Sequence, residues 1–165
     1  MFHRVIRAAA LSAVLVLVSA GAALAASSHG AGTETNTEHM RNEFFFSEET
    51  LNPCTGEKGT LTAIAKNGVF HETVQADGEF WITGTFNGIV TFTPNEAGGV
   101  LGSGHFTVWF GAALNNKNEV EHDTSTFRLN GSDGSRLTIK GTDHLSTNAK
   151  GEVTVSFEKP RLSCG

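Results

Sequence analysis

Whatever chemistry this chain offers rests on a few histidines and carboxylates. His71, His105, His122 and His144 lie within or at the ends of strand-like stretches, and imidazole is both a common metal ligand and a group that titrates near neutrality. No H-x-H or H-E-x-x-H occurs, so no metal site is expected. In "VEHDT" (Val120 to Thr124) and "TDHLS" (Thr142 to Ser146) a carboxylate stands beside a histidine. Asp123 and Asp143, if held close on neighbouring strands, could share a proton or divide the roles of acid and base. The same residues at an open rim would be merely solvated. Glu72 in "FHETV" is the third carboxylate of interest, and Trp81, Phe106 and Trp109 are either core or the lining of a small apolar pocket.

Other chemistries lack their signatures. There is no G-x-S-x-G elbow and no phosphate-binding G-x-x-x-x-G-K-[ST]. The glycines of "GGVLGSGHF" precede a strand, where they serve bending better than dinucleotide binding. No cofactor is expected.

The elements that must position these residues are strands. From Glu43 onward the chain is rich in Thr, Val and Phe, no stretch shows a helical apolar period, and turn residues recur at short intervals. Strands are expected near 43–50, 58–66, 69–76, 79–86, 89–93, 102–112, 120–130, 135–146 and 152–159. Asn67-Gly68 and Asp77-Gly78 read as two-residue hairpin turns, while "GSDG" (131–134) and "TNAKG" (147–151) suit longer ones. Asn87-Gly88 fits either a hairpin or a bulge in one long strand. If the last two turns set the register, Leu129, Phe127, Ser125 and Asp123 face Leu137, Ile139, Gly141 and Asp143. Leu145, Val153, Val155 and Phe157 would continue that face, with His122 and His144 on the other.

Strands joined by short turns make an antiparallel meander of eight or nine strands, expected to close into an up-and-down barrel, with a β-sandwich as the alternative. The only two cysteines, Cys54 and Cys164, follow the first and last expected strands. A disulfide between them would sit at the seam, and the chain-entropy model assigns about 4.7 kcal/mol to a loop of about 100 residues. A C-x-x-C redox pair or a four-ligand zinc site would need further partners that the sequence does not group.

Residues 1–25 carry Arg4 and Arg7, then an uncharged apolar run ending in Ala23-Leu24-Ala25. That is the pattern of a secretory signal peptide cleaved near Ala25, too short to remain as a membrane span. Residues 26–42 read as a flexible polar lead-in and 43–165 as one domain. Removing residues 1–25 takes the formal net charge from −5 to −7, a poor match for nucleic acid or anionic lipid. The absence of tyrosine argues against an outer-membrane barrel.

"NPCTGE" after a Phe-containing strand, "VFHETV", and "NAKGEVTVSFEKPRLSC" at the end resemble a group of small secreted bacterial proteins without assigned activity. The resemblance covers residues 43–164 but not the middle, 88–120, and the group has more strand histidines where this chain has Trp81 and Thr85. It implies one secreted β domain with one disulfide and no catalytic assignment. The expectation is therefore a secreted, non-catalytic binding or interaction protein holding a small apolar molecule in a β-barrel. The alternatives are a cyclase- or isomerase-like small-barrel enzyme using cavity carboxylates, and a structural envelope protein.

Overall fold

A computed structural model describes residues 32–115 and 118–165; the expected signal peptide lies outside the described residues. Nine strands form one antiparallel sheet: β1 (Glu34–Met40), β2 (Glu43–Leu51), β3 (Lys58–Val74), β4 (Phe80–Pro94), β5 (Gly102–Leu114), β6 (Asn118–Gly131), β7 (Arg136–Asn148), β8 (Val153–Glu158) and β9 (Arg161–Cys164). β1 and β2 lie end to end along β3, and β8 and β9 end to end along β7. The five central strands run in meander order.

The hairpins repeat one design. At 75–79, 131–135 and 148–152 the N–H of Gly78, Gly134 or Gly151 donates to the carbonyl three residues earlier, and each glycine has a positive φ of 77–87°. This is a turn closed by a left-handed glycine, one residue longer than the two-residue turn expected at Asp77-Gly78. Asn67-Gly68 makes no hairpin at all. β3 runs straight through it with a bulge between Ala65 and Asn67, and β4 runs unbroken through Asn87-Gly88 on the facing side. A Cβ on Gly88 would stand 1.9 Å from the carbonyl oxygen of Ile64, so this glycine serves a close approach of the two backbones.

One face of the sheet is buried. A bulge between Phe44 and Phe46 turns both Phe45 and Phe46 of β2 inward, where Phe45 stacks on Phe106 of β5 (5.6 Å) and Phe46 meets Phe127 of β6 (6.3 Å). β2 pairs only with β3, so these contacts require the sheet to curl until its first row faces its fifth and sixth strands. Phe106 stacks in turn on Phe127, and Leu61, Val90, Leu129 and Ile139 pack around them. Between Leu61, Phe92, Leu129 and Leu137 a space of about 20 Å³ remains, room for one water. This half of the interior is filled.

The Cys54–Cys164 disulfide is present, with Cα atoms 5.8 Å apart, and joins the end of the first row to the end of the last. The expected barrel closure is not: no pairing joins β1 or β2 to β8 or β9. The reason is in the residues. Apolar alternation fails beyond the phenylalanine core, β1 is polar from Glu34 to His39, and closing that end would bury carboxylates of β1, β3, β6, β7 and β8 in a dry interior, which is costly without pairing. The sheet is thus drawn together at its disulfide end and splayed at the other. Two of its halves pack face to face, as in a sandwich. The residues expected as a lead-in supply β1 from Glu34 onward.

Candidate functional site

The splayed end exposes the inner face, and the strand register lays out its residues in transverse rows. Deepest lie Met40, Gly68, Phe86, Val108, Ser125 and Gly141. The next row holds Glu38, Phe70, Gly84, Phe110, Asp123 and Asp143, with Glu158 at its far end. Beyond it, Glu72 and Glu121 flank Ile82 and Ala112, and Glu34 and Glu119 flank Phe80 and Leu114. All three rows beyond the deepest have an apolar centre on β4 and β5 and acidic flanks, and the curl of the sheet turns the flanks toward one another. Phe80 and Ala112 are half-buried and Leu114 is 46% exposed, so the apolar stripe stays accessible. Among the described residues no Lys or Arg occupies these face positions.

The electrostatics follow from this crowding. Partial burial pushes the Glu72 carboxyl above its ordinary range, and the neighbouring Glu38 and Glu34 push it further. Glu48, on the same face, is raised by burial alone. Asp123 and Asp143 are directly opposed across β6 and β7, as the sequence register predicted, and each has partners in the fold.

Beneath them the geometry is more particular. Ser125 is 4% exposed, and its Oγ has no hydrogen-bond partner. Opposite it stands Gly141, half-buried, and only two atoms come within 4 Å of the place a Cβ would take there: Ser125 Oγ at 2.8 Å and Asp143 Oδ2 at 3.7 Å. A side chain at Gly141 would therefore press on Ser125 Oγ, which lies closed off beneath the Asp123 and Asp143 pair. Sequence reasoning placed Ser125 opposite Gly141 but gave neither a role. The signal was there, a hydroxyl facing a missing side chain where the apolar alternation gives way to carboxylates.

The remaining candidates divide between the two faces. Phe106, 1% exposed, is core, whereas Trp81 and Trp109, each 39% exposed, lie on the outer face and line no interior. The four histidines share that outer face, opposite Asp123 and Asp143. There two of them, His122 and His144, build a ladder: Trp109 meets His122 at 5.6 Å, His122 meets His144 at 5.7 Å, and His144 stacks on Phe157 at 5.3 Å. Lys159 Nζ caps Phe157 at 4.8 Å. Phe157 is on this face because a bulge between Ser146 and Thr147 shifts the register, moving Val155 and Phe157 off the face of Leu145 on which the turn alone would place them. His71 accepts or donates a 3.0 Å hydrogen bond with Thr37 Oγ1. Among the described residues no three His, Cys, Asp or Glu side chains are grouped to hold a metal ion.

Comparison with family models, with curated proteins and with solved structures finds no match to this chain.

Proposed function

We propose that the protein is exported and acts as a non-catalytic binding protein, receiving a small molecule at the splayed end of its curled sheet. The observation that carries this reading is the contrast between the two ends of one face. Phenylalanine rings fill the face at the disulfide end, yet the other end keeps Phe80, Ala112 and Leu114 on the same face in reach of solvent. Accessible apolar surface inside a concave, polar-rimmed site is the usual setting for a small ligand. The ligand's apolar part lies on that stripe, not inside a sealed barrel.

Export is part of the proposal, supported by the signal-like residues 1–25 and by a disulfide of the kind that persists outside the cytoplasm. No helix among the described residues is long and apolar enough to cross a membrane. The test is native mass spectrometry of the full chain expressed with residues 1–25 and taken from the culture medium. A mature chain starting near Ala26 and carrying extra mass that is lost on denaturation supports both parts. An uncut cell-retained chain would remove export. An exported chain whose native and denatured masses agree, and whose melting temperature no compound of a small-molecule panel raises, would remove binding.

A further inference from the structure

We propose that the outer face of the sheet, opposite the small-molecule site, binds a neutral polysaccharide: a flat ribbon of β-1,4-linked pyranoses lying along β4 and β5 over Trp109.

The first support is the absence of charge. β4 and β5, 15 and 13 residues long, contain no Asp, Glu, Lys or Arg. Their inward positions are apolar or glycine, as a core demands. Their outward positions are exposed to water, with Trp81, Thr83, Thr85 and Asn87 on β4 and Thr107 and Trp109 on β5. The pattern continues across the neighbouring strands. The row through Trp109 is Val69, Thr85, Trp109, Thr124 and Thr142, one residue from each of five strands and none charged. A water-exposed sheet face ordinarily carries charges of both signs, which keep it soluble. Here a broad face does without them. Such a face gives no hold to nucleic acid or an anionic membrane, and a neutral polymer covers it without stripping water from any ion.

The second support is how Trp109 is seated. Its indole leans along its own strand: Cη2 and Cζ2 lie 3.3 and 3.6 Å from the place where a side chain on Gly111 would begin, and Thr83 Cγ2 lies 3.7 Å from the same place. A larger residue at 111 would lift the ring, so the glycine lets the indole lie low. His122 meets it at 5.6 Å and braces one side, and the ring remains 39% exposed. The face of an indole is electronegative and attracts polarised C–H groups. A β-1,4-linked pyranose ribbon presents C–H groups on its flat faces and hydroxyls along its rims. The hydroxyls and amide around the ring, on Thr85, Thr107, Thr124 and Asn87, both donate and accept toward such rims. Threonine is also short and stiff at χ1, so ordering these side chains costs little entropy.

Shape and composition favour this occupant over a protein. The core of a protein interface gathers large apolar side chains, whereas the row of Trp109 otherwise holds one valine and three threonines. The curl that makes the inner face concave makes the outer face convex across the strands. A long ligand therefore keeps contact only by running with β4 and β5, over Trp109 and on toward Trp81, the outward position next to Thr83.

The test is affinity electrophoresis of the full exported chain in native gels holding glucomannan, carboxymethyl cellulose or polyvinyl alcohol, each compared with a polymer-free gel. Glucomannan, neutral and β-1,4-linked, should retard the protein, and the other two should not. Trp109→Ala should weaken glucomannan binding at least about tenfold, as loss of a central tryptophan does at other interfaces. Thr85→Lys should do the same by setting a charge beside the ring; it removes no packing, so it carries the test should Trp109→Ala fail to fold. Retardation unchanged in both variants would overturn the proposal. So would equal retardation by polyvinyl alcohol, which has hydroxyls without pyranose faces, or by carboxymethyl cellulose, which is charged. Absence of retardation by glucomannan would overturn it too, and a wild-type dimer that Trp109→Ala returns to monomer in analytical ultracentrifugation would then assign the face to a second copy of the chain. None of these results bears on the small-molecule site, which lies on the other face.

Discussion

Replacing Cys54 and Cys164 together by serine should destabilise the protein by about 4.8 kcal/mol, the loop-closure entropy for a sequence separation of 110 residues. The native state gives little of this back. β9 is four residues long and exposed throughout, so losing the tether costs little packing, and the effect is exerted mainly on the unfolded chain. Set against a total stability of about 5–15 kcal/mol, that is a third or more of the whole. The assay is guanidinium unfolding followed by far-ultraviolet circular dichroism on the wild-type chain and the double variant, with the free energies extrapolated to water. Hydrogen exchange should add a local signature, with β9 amides less protected in the variant and β4 amides tracking the global change. A loss under about 1 kcal/mol would refute the reasoning, because it would mean that the two edges are held together by something other than the disulfide.

Phe127→Ala should cost about 3–5 kcal/mol in the same assay, since its ring touches both Phe106 and Phe46, and pairing it with Phe46→Ala should give less than the sum of the single losses. Gly104→Ala should also be severely destabilising: its Cβ would stand 1.7 Å from the backbone oxygen of Arg128, which no side-chain rotation relieves. Ser125→Ala in ligand-free protein should be stabilising by about 1 kcal/mol, the reverse of the usual buried substitution, and a clear loss would show that the hydroxyl has a partner in the free state. For Glu72 the folded state raises the carboxyl above its ordinary 4.5, so its favourable contribution is complete below that pH and is lost as pH rises through the folded value. Glu72→Gln should therefore raise the melting temperature at pH 7 and leave it little changed below pH 4.5, and an unchanged melting temperature at both would dismiss the crowding with Glu38 and Glu34.

The later half of the sheet was legible because its turns announce themselves. "GSDG" fixes β6 against β7, and from that one register Asp123 opposite Asp143, Ser125 opposite Gly141 and the histidines on the other face all follow. The earlier half was not, because Asn-Gly carries the same local signal whether it turns a chain or sits beside a bulge. At Asn67-Gly68 and Asn87-Gly88 the two strands run past one another for more than a dozen residues, and pairing over that length outweighs a local turn preference. The bulges themselves, at Phe44/Phe46, Ala65/Asn67 and Ser146/Thr147, left no mark in the periodicity except the mixed faces they create. Trp81 lies on the face opposite Phe70 because the turn at 75–79 is one residue longer than the two-residue turn expected there.

The carboxylates explain why the sheet stays open. An open sheet edge invites pairing, and β1 and β8 would be natural partners across the gap. Yet closing it would bring Glu34 and Glu38 toward Glu158 over a face that already holds Glu72, Glu121, Asp123 and Asp143. Like charges in a low-dielectric enclosure oppose that approach more strongly than a few edge hydrogen bonds favour it. The same side chains stop being an obstacle once their charge is removed. Replacing Glu34, Glu38 and Glu158 together by glutamine should therefore let β1 and β8 draw together, and their amides should gain protection from exchange, while β9, held by the disulfide, should not change. Unchanged protection at both edges would show that the carboxylates are not what keeps the sheet open.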